Sequence, residues 1–309
     1  MKVTFSIVAP IYNEVESLPE LYKRVKNVMG TKGESWELIL VDDGSTDGST
    51  EAIQKLAKQD RHVRPVIFAR NFGHQIAITA GWDYARGDAV VTIDGDLQDP
   101  PEAIPELARK WREGFEVVYA VRSEREGEGW FKRLTAALFY RLIYRITDVR
   151  IPVDSGDFRL MDRKVVDVLK QMRERHRFPR GMSAWVGFRQ VGVVYKRGPR
   201  YAGVTKYPFR RMLLLALNAI TSFSYFPLQV ATFFGFFSAG LAILAIPVVV
   251  YLRMAGIPQF TGQATTLIAV LFLGGIQLIS LGVLGEYIGR LYDEAKGRPL
   301  YIVREGPPD

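Results

Sequence analysis

The sequence predicts an α/β domain built on a mostly parallel sheet, followed by two apolar helices long enough to cross a bilayer. Three observations lead there. Short apolar runs alternate with helical stretches through Val121, the pattern expected of βαβ units. No Asp, Glu, Lys, Arg or His occurs in the 41 residues between Arg211 and Arg253, nor in the 32 between Arg253 and Glu286. Charge is also unevenly placed. Residues 1–101 carry a net −4, residues 102–211 a net +12, and residues 212–309 none.

Each element has its own signal. Residues 1–10, ending in Ser6-Ile7-Val8-Ala9-Pro10, are too short and too quickly broken for a signal peptide and read as a first buried strand. A helical pattern spans about Glu14 to Met29, and Trp36 to Val41 forms the next strand, stopping at Asp42-Asp43-Gly44. The alternation repeats with a helix from Asp47, a strand Val63 to Ala69, a helix from Gly73 and a strand Ala89 to Ile93. A helix from Pro101 and a strand Phe115 to Val121 complete it. Right-handed crossovers then bring the loops at the strand ends to one edge of the sheet. The pattern is less regular beyond, with a helix near Trp130 to Ile146 and a strand near Gly187 to Tyr195.

Residues 207–222 read as an amphipathic interfacial helix, with Arg210 and Arg211 ahead of Leu213, Leu214, Leu215 and Leu217. Two spans follow, about Pro227 to Leu252 and Thr265 to Gly285. The expected organisation is therefore a catalytic-type domain 1–206, a juxtamembrane helix 207–222, a two-helix membrane segment 223–290 with a short outer connector, and a tail 291–309. Basic residues before the first span and Arg290, Lys296 and Arg298 after the second place both ends in the cytoplasm by the positive-inside rule. The basic excess suits anionic headgroups or a phosphorylated substrate at the membrane surface. No zinc-finger, RRM or KH pattern occurs, which argues against nucleic acid. The chain has no Cys, which excludes disulfides, a Cys zinc site and a cysteine nucleophile. Its three His, His62, His74 and His176, show no metal-ligand spacing and read as structural or peripheral.

Three strand-end loops carry the chemistry. Asp94-Gly95-Asp96 puts two carboxylates in one tight turn after a buried strand, a hard-oxygen arrangement suited to Mg²⁺ or Mn²⁺. Asp42-Asp43-Gly44-Ser45-Thr46-Asp47 offers carboxylates to a base or ribose, with Asp47 also placed to cap the next helix. In Pro10-Ile11-Tyr12-Asn13-Glu14, Pro10 shapes the turn and Tyr12 presents a flat ring to a nucleobase.

Together these loops resemble the GT-A glycosyltransferases of family 2. The segments Asp96-Leu97-Gln98-Asp99-Pro100-Pro101-Glu102, Asp154-Ser155-Gly156-Asp157-Phe158-Arg159-Leu160 and Gly203-Val204-Thr205-Lys206-Tyr207 narrow the resemblance to the polyprenyl-phosphate glycosyltransferases. That group includes dolichyl-phosphate mannose synthases and bactoprenol glucosyltransferases, and the two C-terminal spans are similar to the latter. Thr205 stands where many relatives have Ser and keeps the hydroxyl.

The resemblance implies a GT-A, Rossmann-like fold and inverting transfer of a hexose, glucose from UDP-glucose, to polyprenyl phosphate at the cytoplasmic membrane face. It implies nucleotide contacts from Pro10, Tyr12, Glu14, Asp42, Asp43 and Asp94, and a Mg²⁺ or Mn²⁺ site at Asp94, Asp96 and Gln98. Asp157 falls where the family places a catalytic carboxylate, with Asp154 as its rival and Arg159 as a partner it could pair with. Arg122, Arg133, Arg200 and Lys206 are candidates for gripping the acceptor phosphate, since an Arg fork matches phosphate oxygens. The alternatives are a mannose synthase using GDP-mannose and a non-catalytic membrane adaptor. A processive polysaccharide synthase fits poorly, because two spans are few for a polymer channel and no Gln-x-x-Arg-Trp segment occurs. Small residues such as Gly274 and Gly275 leave room for packing against a second copy.

Overall fold

In the computed structural model the structure describes residues 2–31, 33–122, 155–196, 224, 226–255 and 263–307. The N-terminal alternation folds as read, with β1 (Phe5–Ile11), α1 (Leu18–Gly30), β2 (Trp36–Asp42), α2 (Ser49–Gln59), β3 (Val63–Phe68), α3 (His74–Tyr84) and β4 (Ala89–Thr92). A 3₁₀ turn at Pro101–Ala103 leads into α4 (Ile104–Arg112) and then β5 (Val117–Arg122). Strands β1, β2, β3 and β4 are buried at every position, as expected of a sheet covered on both faces. Helix α1 buries Leu18, Leu21, Val25 and Met29, one face at helical spacing, against that sheet.

Four elements follow within the same unit: β6 (Ser155–Asp162), α5 (Arg163–Gln171), α6 (Pro179–Trp185) and β7 (Gln190–Tyr195). A last strand, β8 (Val303–Glu305), comes near the C-terminus. The sheet order is β7-β5-β6-β4-β1-β2-β3-β8. β6 and β8 run antiparallel to their neighbours, and the other strands are parallel.

The chain divides into two units, Met1–Ala219 with Arg298–Asp309, and Ile220–Gly297. Residues read from sequence as a simple tail therefore return to the α/β unit, because β8 hydrogen-bonds to the edge of β3. The second unit contains α7 (Phe226–Met254) and α8 (Gln263–Ala295). Their windows Phe226–Val248 and Phe272–Ala295 are long and apolar enough to cross a membrane, and almost none of either is buried. Within this unit the Tyr287 hydroxyl donates to the Ser224 carbonyl at 2.7 Å. The expected helix at 130–146 and amphipathic helix at 207–222 lie outside the described residues.

Candidate active site

The carboxyl ends of β1, β2 and β4 sit side by side, so the three motif loops meet on one edge. The loop after β1 is stitched to the loop after β2. Asn13 N–H donates to Ser45 Oγ at 3.0 Å, and Asn13 Oδ1 accepts from Thr46 N–H at 2.8 Å. Asn13 takes a left-handed φ of 55° to make both bonds, a conformation its short amide side chain tolerates. The Asp47 carboxylate accepts from Ser49 N–H and Val15 N–H, which fixes the first turn of α2 to the β1 loop. Gly95 allows the β4 loop to touch β1, since a Cβ there would lie 2.7 Å from Ile11 Cδ1 and 3.1 Å from the Pro10 carbonyl. Tyr12 is 41% exposed at this edge, and Glu14 receives the Ser17 hydroxyl at 3.2 Å.

The two carboxylates at the end of β2 are turned inward. Asp42 is fully buried and accepts from Ser45 N–H and the Thr50 hydroxyl. Asp43 is buried too, and accepts from Asn71 Nδ2, Phe72 N–H and Gly73 N–H at 2.6 to 3.0 Å. Burial pushes the Asp43 carboxyl up, to about 6, against the pull of the Phe72 and Gly73 bonds. Gly44 is a glycine for two reasons: its φ is 71°, and a Cβ would lie 2.6 Å from the backbone of Arg70 and Asn71. Asp42 and Asp43 thus shape the loops, and Asp43 in particular ties down the β3–α3 connection.

The Asp94 carboxylate just beyond β4 and the Asp157 carboxylate of β6 face each other. Thr92 pairs with Arg159 in the antiparallel β4–β6 ladder, so continuing the register sets Asp94 opposite Asp157. Between them projects His74, the first residue of α3, with Nε2 3.5 Å from Asp94 Oδ1 and 3.5 Å from Asp157 Oδ2. His74, expected from its lack of metal-ligand spacing to be structural or peripheral, stands instead at the centre of this cluster. A lone His without a spaced partner carries no signal, and the loop that delivers it is fixed by Asp43, 31 positions earlier. Arg180, from α6, clasps Asp157 through two parallel bonds, Nε to Oδ1 at 2.8 Å and Nη2 to Oδ2 at 3.0 Å. Arg159, expected as a partner for Asp157, instead donates to the Ser183 hydroxyl and the Gly156 carbonyl.

These contacts set the charges. Burial raises the Asp157 carboxyl, but the Arg180 charge and the bonds from His74 and Arg180 outweigh it and hold Asp157 well below the usual carboxylate range. Asp94 is pushed up by burial, against the pull of His74, and further by Asp99, Asp157 and Asp96. Burial lowers His74, yet Asp157 and Asp94 raise it further, to about 9. Asp94 Oδ1 is buried and accepts no hydrogen bond among the described residues. His74, Asp94 and Asp157 offer donor atoms within 4.8 Å of one another, a spacing one cation can bridge. Asp96 and Gln98 lie beside this cluster, where Gln98 N–H donates to Asp96 Oδ1 at 3.1 Å. Leu97 between them has a φ of 60°, a strained value for a branched side chain, so this turn is held by its surroundings.

Arg122 ends β5, opposite Tyr195 at the end of β7. Its guanidinium lies over Gly156, where a Cβ would come within 3.1 Å of Nη2, and bonds the Tyr195 hydroxyl, which donates to Asp99. Arg122 Nε is buried with no hydrogen-bond partner among the described residues. Arg133, Asp154, Arg200 and Lys206 lie outside the described residues. His62 is structural, stacked on Trp36 and bonded to Asp60.

The sequence model of the family described as glycosyl transferase family 2 matches residues 6–169. An uncharacterized glycosyltransferase of Bacillus subtilis is 52% identical over 98% of this chain and 94% of its own length. A bactoprenol glucosyl transferase of Shigella phage SfV is 45% identical over 97% of both chains. Among solved structures, glucosyl-3-phosphoglycerate synthase of Mycobacterium tuberculosis is similar at 22% identity with a TM-score of 0.46, covering 71% of this chain and 78% of that one.

Proposed function

The chain belongs to glycosyl transferase family 2, and on that premise we propose that it transfers glucose from UDP-glucose to a polyprenyl phosphate, with inversion at the sugar. The observation that carries this reading is the 45% identity to a bactoprenol glucosyl transferase over 97% of each chain, apolar helices included. In this reading α7 and α8 cross the membrane, and the α/β unit and both termini lie on the cytoplasmic side, where nucleotide sugars are made. On the same reading, residues 1–206 carry the chemistry, residues 207–222 meet the membrane surface, residues 223–290 hold the chain in the bilayer and the C-terminal residues return to the cytoplasm.

One phosphate oxygen of the lipid forms a bond to the anomeric carbon while the bond from that carbon to the diphosphate oxygen breaks, and UDP leaves with the electron pair. A lipid monophosphate has a second pKa of about 6, by analogy with phosphoserine, so it arrives mostly as a dianion and needs no strong base. That suits Asp157, whose pairing with Arg180 makes it a weak base and a good anchor. Tyr12 and Glu14 line the nucleotide end, while Pro10, Asp42 and Asp43 hold its loops. Asp94, whose buried Oδ1 accepts no hydrogen bond among the described residues, fits a hard divalent cation, as do Asp96 and Gln98 at the same turn. Bound there, Mg²⁺ or Mn²⁺ supplies Lewis-acid stabilisation of the leaving diphosphate. Arg122, Arg133, Arg200 and Lys206 neutralise the acceptor phosphate.

A donor panel tests the reading. Purified protein is given polyprenyl phosphate, Mg²⁺ or Mn²⁺, and one labelled donor at a time, and lipid-linked label is followed by thin-layer chromatography. UDP-glucose should outpace UDP-N-acetylglucosamine and GDP-mannose. Preferred use of GDP-mannose would replace this reading with that of a mannose synthase.

A further inference from the structure

We propose that Tyr301, only a few residues beyond the end of α8, is a positioning residue for the transfer reaction: it braces the β3–α3 connection that sets His74 between Asp94 and Asp157. The proposal rests on the transfer reading for its kinetic consequence, but its structural core stands on contacts within the α/β unit.

Those contacts grip α3 from both sides. The Tyr301 ring stacks on Phe68, the last residue of β3, at 5.1 Å between centroids and 16° between planes. Phe68 in turn meets Phe72 edge-on at 5.6 Å. Phe72 and the adjacent Gly73 are the residues whose N–H groups bind the Asp43 carboxylate, and His74 comes next. At the other end of α3, the Tyr301 hydroxyl donates to Asp83 Oδ2 at 2.8 Å. Arg173 donates to the same carboxylate at 2.9 Å. The backbone joins in: Ala69 N–H donates to the Ile302 carbonyl at 3.0 Å, and Phe68 pairs with Val303 in the β3–β8 ladder.

The arrangement has a physical rationale. Without β8, β3 would be an edge strand, and the loop leaving it would lose the support that Tyr301 and Val303 give on that side. Aromatic stacking and a hydrogen bond to a carboxylate each contribute modestly, but together they fix both the entry to α3 and its last turn. Misplacing a site group by about 1 Å can cost up to a hundredfold in rate, so a brace of this kind acts on turnover even though it touches no substrate.

The experiment uses the full-length protein in detergent or nanodiscs, with Tyr301→Ala, Tyr301→Phe and, as a control within the same strand addition, Gln54→Ala, which removes the 2.6 Å bond to Glu305. Two readouts are taken on folded protein: kcat and KM for UDP-glucose, and the ring resonances of ¹³C,¹⁵N-labelled histidine. With three His in the chain, the His74 signal is assigned by its loss in His74→Gln.

Tyr301→Ala should lower kcat on the order of tenfold with donor KM within about twofold, and shift or broaden the His74 signal. Tyr301→Phe, which keeps the ring stack, should recover most of both, and Gln54→Ala should change neither. If Tyr301→Ala fails to fold, Tyr301→Leu, which keeps apolar bulk without the stack, takes its place with the same expectation. A folded variant with unchanged kcat, or with lowered kcat and an unmoved His74 signal, overturns the proposal. A moved His74 signal in a protein that transfers no sugar at all would uphold the brace and overturn the transfer reading instead.

Discussion

Two pairs of aspartates lie on the same sheet edge and do opposite work. Asp42 and Asp43, at the end of β2, have their carboxylates taken up by N–H and hydroxyl donors of neighbouring loops. Asp94, just beyond β4, and Asp157, in β6, face each other across His74, with Asp94 Oδ1 accepting no hydrogen bond among the described residues. The first pair uses its charge to build the loops. The second concentrates charge that cations must balance, namely Arg180, His74 and, in our reading, a metal. Residue type alone does not separate the two duties, because what decides is whether the local backbone turns its donors toward the carboxylate.

The largest expected effect comes from breaking the second pair. Asp94→Asn should cost orders of magnitude in transfer rate while leaving the melting temperature unchanged or higher, since it relieves repulsion among Asp94, Asp96, Asp99 and Asp157. Circular dichroism melts beside the kinetics would check it. A large loss of stability would place Asp94 with the loop-building aspartates.

Asp43→Asn should show the reverse order of effects. Its amide oxygen keeps the Phe72 N–H bond, but the N–H₂ that replaces Oδ2 faces the Asn71 Nδ2 and Gly73 N–H donors, a buried donor-to-donor clash worth about 1–3 kcal/mol. The melting temperature should fall by roughly 3–10 °C, and turnover should drop only as far as His74 loosens. A fully stable but inactive Asp43→Asn protein would dissolve the contrast, assigning Asp43 to direct substrate contact.

The smallest effect sharpens the contrast far from the site. Burial raises the Asp60 carboxyl, but the bonds from Lys26, the His62 N–H and Tyr22 overcome it and hold Asp60 well below the usual carboxylate range. A depressed folded pKa contributes stability above the unfolded value of about 4 and loses it as pH falls through the folded value. Asp60→Asn should therefore melt a degree or two lower than the parent at pH 7, roughly, with the gap closing below pH 4. A gap independent of pH would mean that the bond geometry, and not the charge, carries the contribution.

Much of the architecture was legible because buried parallel strands are written as mostly apolar runs: Phe5–Ile11, Trp36–Asp42 and Ala89–Thr92, broken only by Ser6, Glu37 and terminal polar residues, each lead into a motif that needs a loop. The charge-free runs announced α7 and α8 for the same reason. β6 was harder to see as a strand. Its sequence, SGDFRLMD, alternates charge with bulk, and Asp157 and Arg159 are buried only because Arg180 and Ser183 meet them there. β8 has three residues, and its pairing with β3 spans more than 230 positions, beyond the reach of any local pattern. His74 and Arg180 were missed on the same ground. Each acquires meaning only when Asp94 and Asp157 are brought opposite one another, which the β4–β6 register does and spacing along the chain does not.

In our reading a lipid phosphate, already anionic, attacks the sugar in a site whose carboxylates balance cations instead of abstracting a proton. The most direct test gives the purified protein labelled UDP-glucose with either polyprenyl phosphate or the same polyprenol lacking phosphate, in Mg²⁺ or Mn²⁺ and in excess chelator. Labelled lipid is expected only with the phosphorylated acceptor and the divalent ion, with one UDP released for each sugar transferred. Efficient transfer to the free polyprenol, or full turnover in chelator, would contradict it.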